Sequence, residues 1–350
     1  MALTRRPREG RVTMSITRRS SLALLFAAAS VRQAAAAENI RLGLLHTLSP
    51  APLYMAQELG YFAEAGTNVT FVFFDAAQPI AAAAVAGDID VGITALTGGF
   101  FSLAGKGELK VIGGGLHEQK GYEGTAVLVS RKAFDAGLTS LDKLPGHSFA
   151  ITQYGSSFHY MLGRIAQTSG FDIKSVILRP VQQVTNMLAA VRSAQVDATM
   201  AVASQARVLE ANGEAKIIAW IGDVVPYQLT ALFTTNTMIE KREAALRKFC
   251  VGYQRGVAAY RDAFLRFSAP GEPIYDAKTD AAIPLIEKYV FTGDPKAAGK
   301  IRDGVGWYDV GAALDVADIR HQIAWFEEQG LVRQHIDPAT IIDTRFLPTL

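Results

Sequence analysis

Cysteine is almost absent from this chain of 350 residues, which contains only Cys250. A single cysteine excludes a disulfide within the chain, and no cysteine lies directly after the N-terminal segment, so we expect no lipid anchor. Cys250 lies in "ALRKFCVGYQRGVAAY", where apolar residues recur at helical spacing. This pattern predicts a buried structural thiol rather than a nucleophile.

Motifs of known catalytic chemistry are lacking too. The chain has no G-x-S-x-G elbow, no H-E-x-x-H, no C-x-x-C and no Walker loop. The glycine-rich segment "GGGLHE" at 113–118 lacks the lysine and the spacing of a phosphate-binding loop. The six histidines are scattered, and no two of them have the spacing of metal ligands. We therefore expect a protein that is not an enzyme and that binds neither a cofactor nor a metal ion.

An excess of basic charge is absent from most of the chain. The formal net charge is +2, but residues 1–37 contain seven arginines and one acid, which leaves 2 − 6 = −4 for the remainder. Proteins that bind nucleic acid or anionic membranes present a basic face to their partner. We therefore expect no nucleic acid among the partners.

The arginines belong to an N-terminal segment that has the layout of an export signal. "MSITRRSSLALLFAAASVRQAAAAEN" has a basic start at Arg18 and Arg19, an apolar stretch over 22–29, and small residues suited to A-x-A cleavage. The apolar stretch is shorter than the roughly 20 residues of a membrane span. We predict that residues 1–37 are an export signal, which the Sec or the twin-arginine route recognises. The true start of the chain is Met1 or Met14. The chain that remains after cleavage is expected to be free in the periplasm.

Strand and helix patterns alternate through two successive series, which predicts an α/β fold. The first series has strands at "NIRLGLLH", "NVTFVFFDA", "IDVGITAL" and "LKVIGGG"; the second runs from "GTAVLVSRKAF" to "AKIIAWIG". "NVTFVFFDA" lacks a clean alternation, which predicts a strand covered on both faces of a parallel sheet. "AAVAGDIDVGIT" and "AAVRSAQVDATM" repeat one helix-to-strand pattern, so we expect two similar lobes.

The order of the series predicts how the lobes are connected. Residues 38–123 plus 229–350, with C-terminal helices, are expected to form lobe 1, and residues 124–228 to form lobe 2. The chain would then cross twice between the lobes, near 121–125 and near 226–230. Two lobes joined by two crossings enclose a cleft, which is a common place for a small-molecule site.

Polar or small residues recur where predicted strands end and helices begin. Ligands of open parallel sheets bind at these strand ends, and helix N-termini favour anions there. Serines at such positions also cap helices without any ligand, and Tyr154 could stack on a ligand or simply pack, so each position has a structural alternative. The candidate ligand-binding residues are His46, Thr47, Ser49, Gln78, Thr94, Thr97, Gly98, Tyr154, Ser156, Ser157, Gln182 and Ser204.

Two segments resemble a known family. "APLYMAQELGYFAEAGTNVTF" is similar to its P-x-x-x-A-x-x-x-G-[YF]-[FL]-x-x-x-G helix, and "AAVAGDIDVGI" to its A-x-x-x-G-x-[IV]-D helix end. "SLDKLPGHSFAI" at 140–151 resembles the entry to its second lobe, with His147 in place of the usual lysine. The family is the periplasmic substrate-binding proteins of ABC importers for taurine, aliphatic sulfonates, nitrate and thiamine-pyrimidine precursors. The motifs carry little information about the ligand.

The resemblance implies a two-lobed type II periplasmic binding protein fold with a ligand cleft between the lobes. It also implies a monomer that captures a small organic anion or heteroaromatic solute and delivers it to an ABC permease and its ATPase. Two alternatives stay open. The THI5-type pyrimidine synthases are similar enzymes, but they carry a cysteine-rich motif that this chain lacks; a sensory module that docks on a receptor would have the same sequence pattern.

Overall fold

Two five-stranded sheets form the framework of the protein. The structure, a computed structural model, describes residues 1–2, 37–269 and 271–350, and Ala37–Leu350 form one compact unit. The signal predicted for residues 1–37 therefore lies almost wholly outside the described residues. The α/β fold with two lobes is confirmed, because each sheet is the centre of one lobe.

The strands of the described residues occupy both lobes and the connections between them. They are β1 Glu38–Leu45, β2 Thr67–Phe74, β3 Val91–Ala95, β4 Leu109–Gly114, β5 Leu116–Glu118, β6 Thr125–Ser130, β7 Ser148–Ile151, β8 Ile177–Pro180, β9 Ala198–Val202, β10 Ala215–Trp220, β11 Tyr227–Gln228, β12 Thr230–Thr235, β13 Phe267–Ala269, β14 Glu272–Pro273 and β15 Trp307–Tyr308.

Helices follow most strands and dominate the C-terminal third of the chain. They are α1 Ala51–Glu58, α2 Tyr61–Glu64, α3 Ala77–Ala86, α4 Gly98–Ala104, α5 Arg131–Asp135, α6 Ser157–Ser169, α7 Val184–Arg192, α8 Ala203–Ala211, α9 Ile221–Val224, α10 Asn236–Phe264, α11 Ala277–Glu287, α12 Ala297–Gly304, α13 Val316–Glu328 and α14 Pro338–Ile341. No helix among the described residues is both long and apolar enough to cross a bilayer.

The lobe 1 sheet has the order β2-β1-β3-β12-β4. Strands β1, β2 and β3 are parallel, and β12 returns from the second lobe to run antiparallel between β3 and β4. The prediction that "NVTFVFFDA" is covered on both faces was wrong. β2 is the edge strand of the sheet, and Thr67 and Val69 are buried while Asn68 and Thr70 are exposed, so the first half of the strand has one face open to solvent.

The lobe 2 sheet has the order β10-β6-β9-β7-β8, in which only β6 runs against its neighbours. The chain leaves lobe 1 after β5 and returns through β11, and these two short strands pair with each other. β15 pairs with the other side of β5, so a small three-stranded sheet joins the connections. The lobe boundaries predicted after residues 123 and 228 stay a prediction.

Helix α13 packs against both lobes. The ring of Phe326 lies 5.4 Å from that of Phe101 in lobe 1 and 5.9 Å from that of Tyr160 in lobe 2. Trp325 lies so close to α6 that a Cβ added at Gly163 would be 2.3 Å from its ring. One apolar cluster therefore extends through both lobes, and α13 lies within it.

The single cysteine has the structural role that its sequence context predicts. Cys250 lies in α10 with 2% of its surface exposed, inside the apolar cluster that α10 forms with the lobe 1 sheet. Burial raises the pKa of its thiol to about 12, with a small opposing effect from the charge of Arg247. The thiol is therefore protonated at neutral pH and has no access to solvent.

Candidate functional site

Strand ends from the two lobes meet directly. The backbone N–H of Gly98 in lobe 1 donates a hydrogen bond of 3.0 Å to the carbonyl oxygen of Gly155 in lobe 2. Beside this contact, the side-chain amide of Gln153 donates to Oε1 of Gln78. The structure thus brings together three predicted residues of lobe 1, since Thr97 immediately precedes Gly98, and places them against the loop that leads to Ser156.

Two helices begin at this contact, one in each lobe. Thr97 Oγ1 accepts a hydrogen bond of 3.1 Å from Phe100 N at the start of α4, and Ser156 Oγ accepts one of 3.3 Å from His159 N at the start of α6. Within the described part of the chain, the N–H groups of Ser157 and Phe158 have no acceptor. Free N–H groups at a helix start carry partial positive charge and bind anions.

A neutral histidine fixes the loop before α6. Burial lowers the pKa of His159 to about 4, so its ring is uncharged at neutral pH. Its Nδ1 accepts a hydrogen bond of 3.1 Å from the N–H of Gly155, which has a φ of 77° in the left-handed region that glycine adopts without strain. This bond positions the Gly155 carbonyl that lobe 1 contacts.

A second contact joins the lobes at the starts of α1 and α8. Gly304, the last residue of α12, lies against Leu48 of lobe 1 and Ser204 of lobe 2. A Cβ at position 304 would be 2.9 Å from Leu48 Cδ2 and 2.9 Å from Ser204 Oγ. Only glycine fits there without a shift of its neighbours, so the two lobes are in close contact on this side as well.

A small cavity lies in lobe 1 behind the loop that follows β1. It is lined by Ser49 and Thr94 of the predicted set, together with Leu45, Pro50, Ile93, Thr230 and Tyr308. Thr94 is 3% exposed, and its Oγ1 has no hydrogen-bond partner among the described residues. The cavity accommodates about one water molecule, and the Thr94 hydroxyl can bond such a water or a ligand atom.

His46 and Thr47 make their contacts with other residues of lobe 1. Nε2 of His46 lies 2.5 Å from the carbonyl oxygen of Tyr289, and its ring lies 4.7 Å from the ring of Phe73. The Thr47 carbonyl accepts a hydrogen bond of 3.0 Å from Tyr54 Oη. Both residues are exposed at the end of β1, and their role in binding stays a prediction.

Tyr154 and Gln182 lie on lobe 2 outside the direct contacts between the lobes. Tyr154 is 57% exposed and packs edge-on against His159, with 5.6 Å between ring centroids. Gln182 is exposed with a φ of 70°, and its N–H donates to the Thr152 carbonyl at the end of β7. Both stay candidates for ligand contact, because they lie at the carboxyl ends of lobe 2 strands.

The sequence patterns missed four residues of the contacts. Gln153 and Gly155 lie at the same strand end as the predicted Tyr154 and Ser156, so the rule used for those residues could have included them. Leu48 and Gly304 gave no local signal, because their importance comes from packing across about 250 residues of sequence. No group of three metal-ligating side chains occurs within residues 37–269 and 271–350.

Comparisons with solved structures agree with this architecture. The alkanesulfonate-binding protein SsuA from Xanthomonas axonopodis pv. citri, bound to MOPS, aligns with a TM-score of 0.67 and 18% identity over 88% of this chain and 100% of that chain. The periplasmic aliphatic sulphonate-binding protein SsuA from Escherichia coli aligns with a TM-score of 0.67 and 18% identity, over 89% of this chain and 94% of that one.

An enzyme has a similar fold. The desulfurization enzyme DSZB aligns with a TM-score of 0.56 and 14% identity, over 88% of this chain and 97% of that chain. At these identities the likeness of all three structures concerns the fold alone.

No curated protein sequence matches this chain. The NMT1/THI5-like family matches residues 48–263, which is more than half of the chain. The chain therefore belongs to the NMT1/THI5-like family and has the two-lobed type II periplasmic binding protein fold.

Proposed function

We propose that this protein is the extracytoplasmic solute-binding component of an ABC importer. It captures a small organic anion or heteroaromatic solute between its lobes and delivers it to a membrane permease that an ATPase drives. The observation that supports the proposal most is the contact between Gly98 of lobe 1 and Gly155 of lobe 2, which lies at the start of one helix in each lobe. Binding of the solute then favours the closed arrangement over the open one.

The donors near this contact suit a sulfonate, nitrate, carboxylate or pyrimidine ligand. The N–H groups of Ser157 and Phe158 and the hydroxyls of Thr94 and Ser157 are neutral donors. Arg179 is exposed on the edge strand β8, so it is not part of the contacts between the lobes. An anionic head group would be held by neutral donors and helix ends, as in other helix N-terminal sites. The exposed ring of Tyr154 would pack on an apolar part of the solute.

Binding without chemical conversion is part of the proposal. Cys250 is the only thiol of the chain, and it is buried in α10 with a pKa of about 12, away from both contacts between the lobes. A cysteine-rich site like that of the pyrimidine synthases has no counterpart in this sequence. Incubation of the protein with each bound solute, followed by mass analysis of the solute, should return it unchanged.

The partners and the location follow from the same proposal. We infer a monomer that is exported through its N-terminal signal and acts in the periplasm beside a permease and its ATPase. The alternative is a sensory module that docks on a receptor. Reconstitution of the protein with an ABC permease and its ATPase would separate the two, because an importer component stimulates solute uptake and ATP hydrolysis, whereas a sensory module does not.

A thermal-shift screen tests the ligand class. The panel contains taurine, ethanesulfonate, MOPS, nitrate, benzoate and a hydroxymethylpyrimidine. A solute at 100 times its dissociation constant adds about 2.7 kcal/mol to the free energy of unfolding, which gives a clear rise in Tm. The double variant Ser156→Ala with Ser157→Ala should lose this rise. If no member of the panel raises the Tm of the wild-type protein, the proposed ligand class is wrong.

A further inference from the structure

A larger cavity lies outside the candidate site, beside the first connection between the lobes. We call it the crossing cavity, and its volume is about 380 Å³. Residues of the connection after β5, of the β13–β14 hairpin and of β15 form its wall. They are Gln119, Lys120, Gly121, Tyr122, Phe267, Ala269, Gly271 and Trp307. Ligand sites of drug-sized molecules have volumes of about 300–1,000 Å³, so the crossing cavity is large enough for one.

Three aromatic rings give the crossing cavity an apolar corner. The ring centroid of Tyr122 lies 5.7 Å from that of Trp307 and 6.2 Å from that of Phe267, at interplanar angles of 62° and 89°. Phe267 and Trp307 lie 6.3 Å apart at 27°. The three rings therefore form one aromatic cluster in the wall of the cavity, and a flat ligand ring can pack against its surface.

The polar atoms of these rings are already bonded to the protein. Tyr122 Oη donates a hydrogen bond of 2.7 Å to the Val305 carbonyl, and Trp307 Nε1 donates one of 3.0 Å to Asp309 Oδ1. These bonds hold both rings in place and leave their carbon surfaces for contact with a ligand. Tyr122 and Trp307 are thus held in position before any ligand arrives, which reduces the entropy lost on binding.

Lys120 is the one charged residue among the described residues that line the crossing cavity. Lys120 is exposed, and the lysine ion pairs found among the described residues are made by other lysines. None of the described lining residues has a carboxylate. Further charges of both signs lie around the lining. The guanidinium of Arg261 is 5.1 Å from the Trp307 ring, Asp309 accepts from Trp307 Nε1, and Asp223 Oδ1 accepts a hydrogen bond of 2.9 Å from the N–H of Gly121. An anionic group near Lys120 would gain a partner without displacing another one.

We propose that the crossing cavity is a second ligand site, which takes a planar aromatic molecule with one anionic group. The ring of the ligand packs into the corner of Tyr122, Phe267 and Trp307, and its anionic group lies beside Lys120. The site is separate from the candidate cleft, since it shares no residue with the contacts between the lobes. It also adjoins the connection between the lobes, because Gln119 and Tyr122 belong to that connection.

Calorimetric titration with 1-naphthalenesulfonate tests the proposal on the whole mature protein. Phe267→Ala removes one ring of the wall and should weaken binding at this site about tenfold. Lys120→Gln should weaken it about threefold at low ionic strength and less in 0.5 M salt, because exposed charges are screened. Ile274→Ala and Lys106→Gln are the matched controls. Both residues are exposed and lie outside the cavity lining, and they should leave affinity unchanged.

Two further comparisons keep the outcome unambiguous. 1-Naphthalenesulfonate could also enter the cleft, and binding there is lost in the Ser156→Ala, Ser157→Ala double variant while binding in the crossing cavity persists. Melting curves from circular dichroism establish that each variant is folded, and Lys120→Gln changes only an exposed side chain. Wild-type affinity in either Phe267→Ala or Lys120→Gln, or no binding beyond that removed by the double variant, overturns the proposal.

Discussion

Addition of one methyl group at Gly304 should make closure of the lobes less favourable. Gly304 ends α12 at the second contact between the lobes, and a Cβ there would lie 2.9 Å from Ser204 Oγ and 3.1 Å from Ser204 Cβ. Ser204 lies in the first turn of α8, so its Cβ is held by the helix. The clash with Ser204 exists only when the lobes are in contact, whereas the clash with Leu48 lies within lobe 1 and involves Cδ2, at the end of a side chain that can rotate away. Gly304→Ala therefore destabilises the closed arrangement more than an open one.

The size of the effect follows from the cost of overpacking. An extra methyl group in a close-packed contact costs about 1–3 kcal/mol. Since each 1.4 kcal/mol changes an equilibrium constant tenfold, the affinity for the solute should fall about 5-fold to 150-fold. The melting temperature of the solute-free protein should stay close to that of the wild type, because α12 itself gains helix propensity when alanine replaces glycine.

Gly299→Ala provides a matched control within the same helix. No atom lies within 4 Å of a Cβ at position 299, so this variant has the same change in helix propensity without the clash. Titration calorimetry with the solutes of the panel that bind the wild-type protein compares the two variants directly. Equal affinities in Gly304→Ala and Gly299→Ala would refute the reasoning, because closure would then not require the contact at Gly304.

Three further predictions concern the capping of α6, the packing of α13 and a buried acid. Ser156→Ala should cost about 1 kcal/mol of stability. It should also reduce solute affinity in calorimetry, whereas Ser130→Ala, which removes a cap at α5, should cost only stability. Gly163→Ala should lower the free energy of unfolding in urea by about 1–3 kcal/mol, because its Cβ would lie 2.3 Å from the ring of Trp325. Burial raises the pKa of Asp318 from 3.8 to about 6, so its contribution to stability is complete below pH 3.8 and is lost as the pH rises through 6. Urea unfolding from pH 4 to 7 should show this loss, about 3 kcal/mol, and Asp318→Asn should remove it.

Most of the secondary structure could be predicted from the sequence because local signals mark the ends of the elements. Ser156 caps the start of α6 and Gly170, with a φ of 76°, ends it, and serine and glycine are typical of these two positions. Periodicity identified the buried strands of both lobes. It could not identify β2 as an edge strand, because the side of a sheet on which a strand lies depends on residues far away in sequence.

The candidate site could be predicted only by its place in the fold. The rule that ligands bind at strand ends led to Thr97, Gly98 and Ser156, which the structure brings to one contact between the lobes. The same rule included Gln182, which lies outside the direct contacts. The rule states where a loop is but gives no information about which way its side chains point or which partner they find. Gly304 carried no such signal at all.

A distance measurement between the lobes tests the central claim most directly. Cysteines introduced at Val208 on α8 and Gly299 on α12 can carry spin labels, since Val208 is 51% exposed and nothing lies within 4 Å of a Cβ at position 299. Cys250 is 2% exposed and should stay unlabelled. We predict that pulsed electron paramagnetic resonance finds a shorter and narrower distance distribution when a binding solute of the panel is added. An unchanged distribution with every solute of the panel would contradict capture of such solutes by lobe closure.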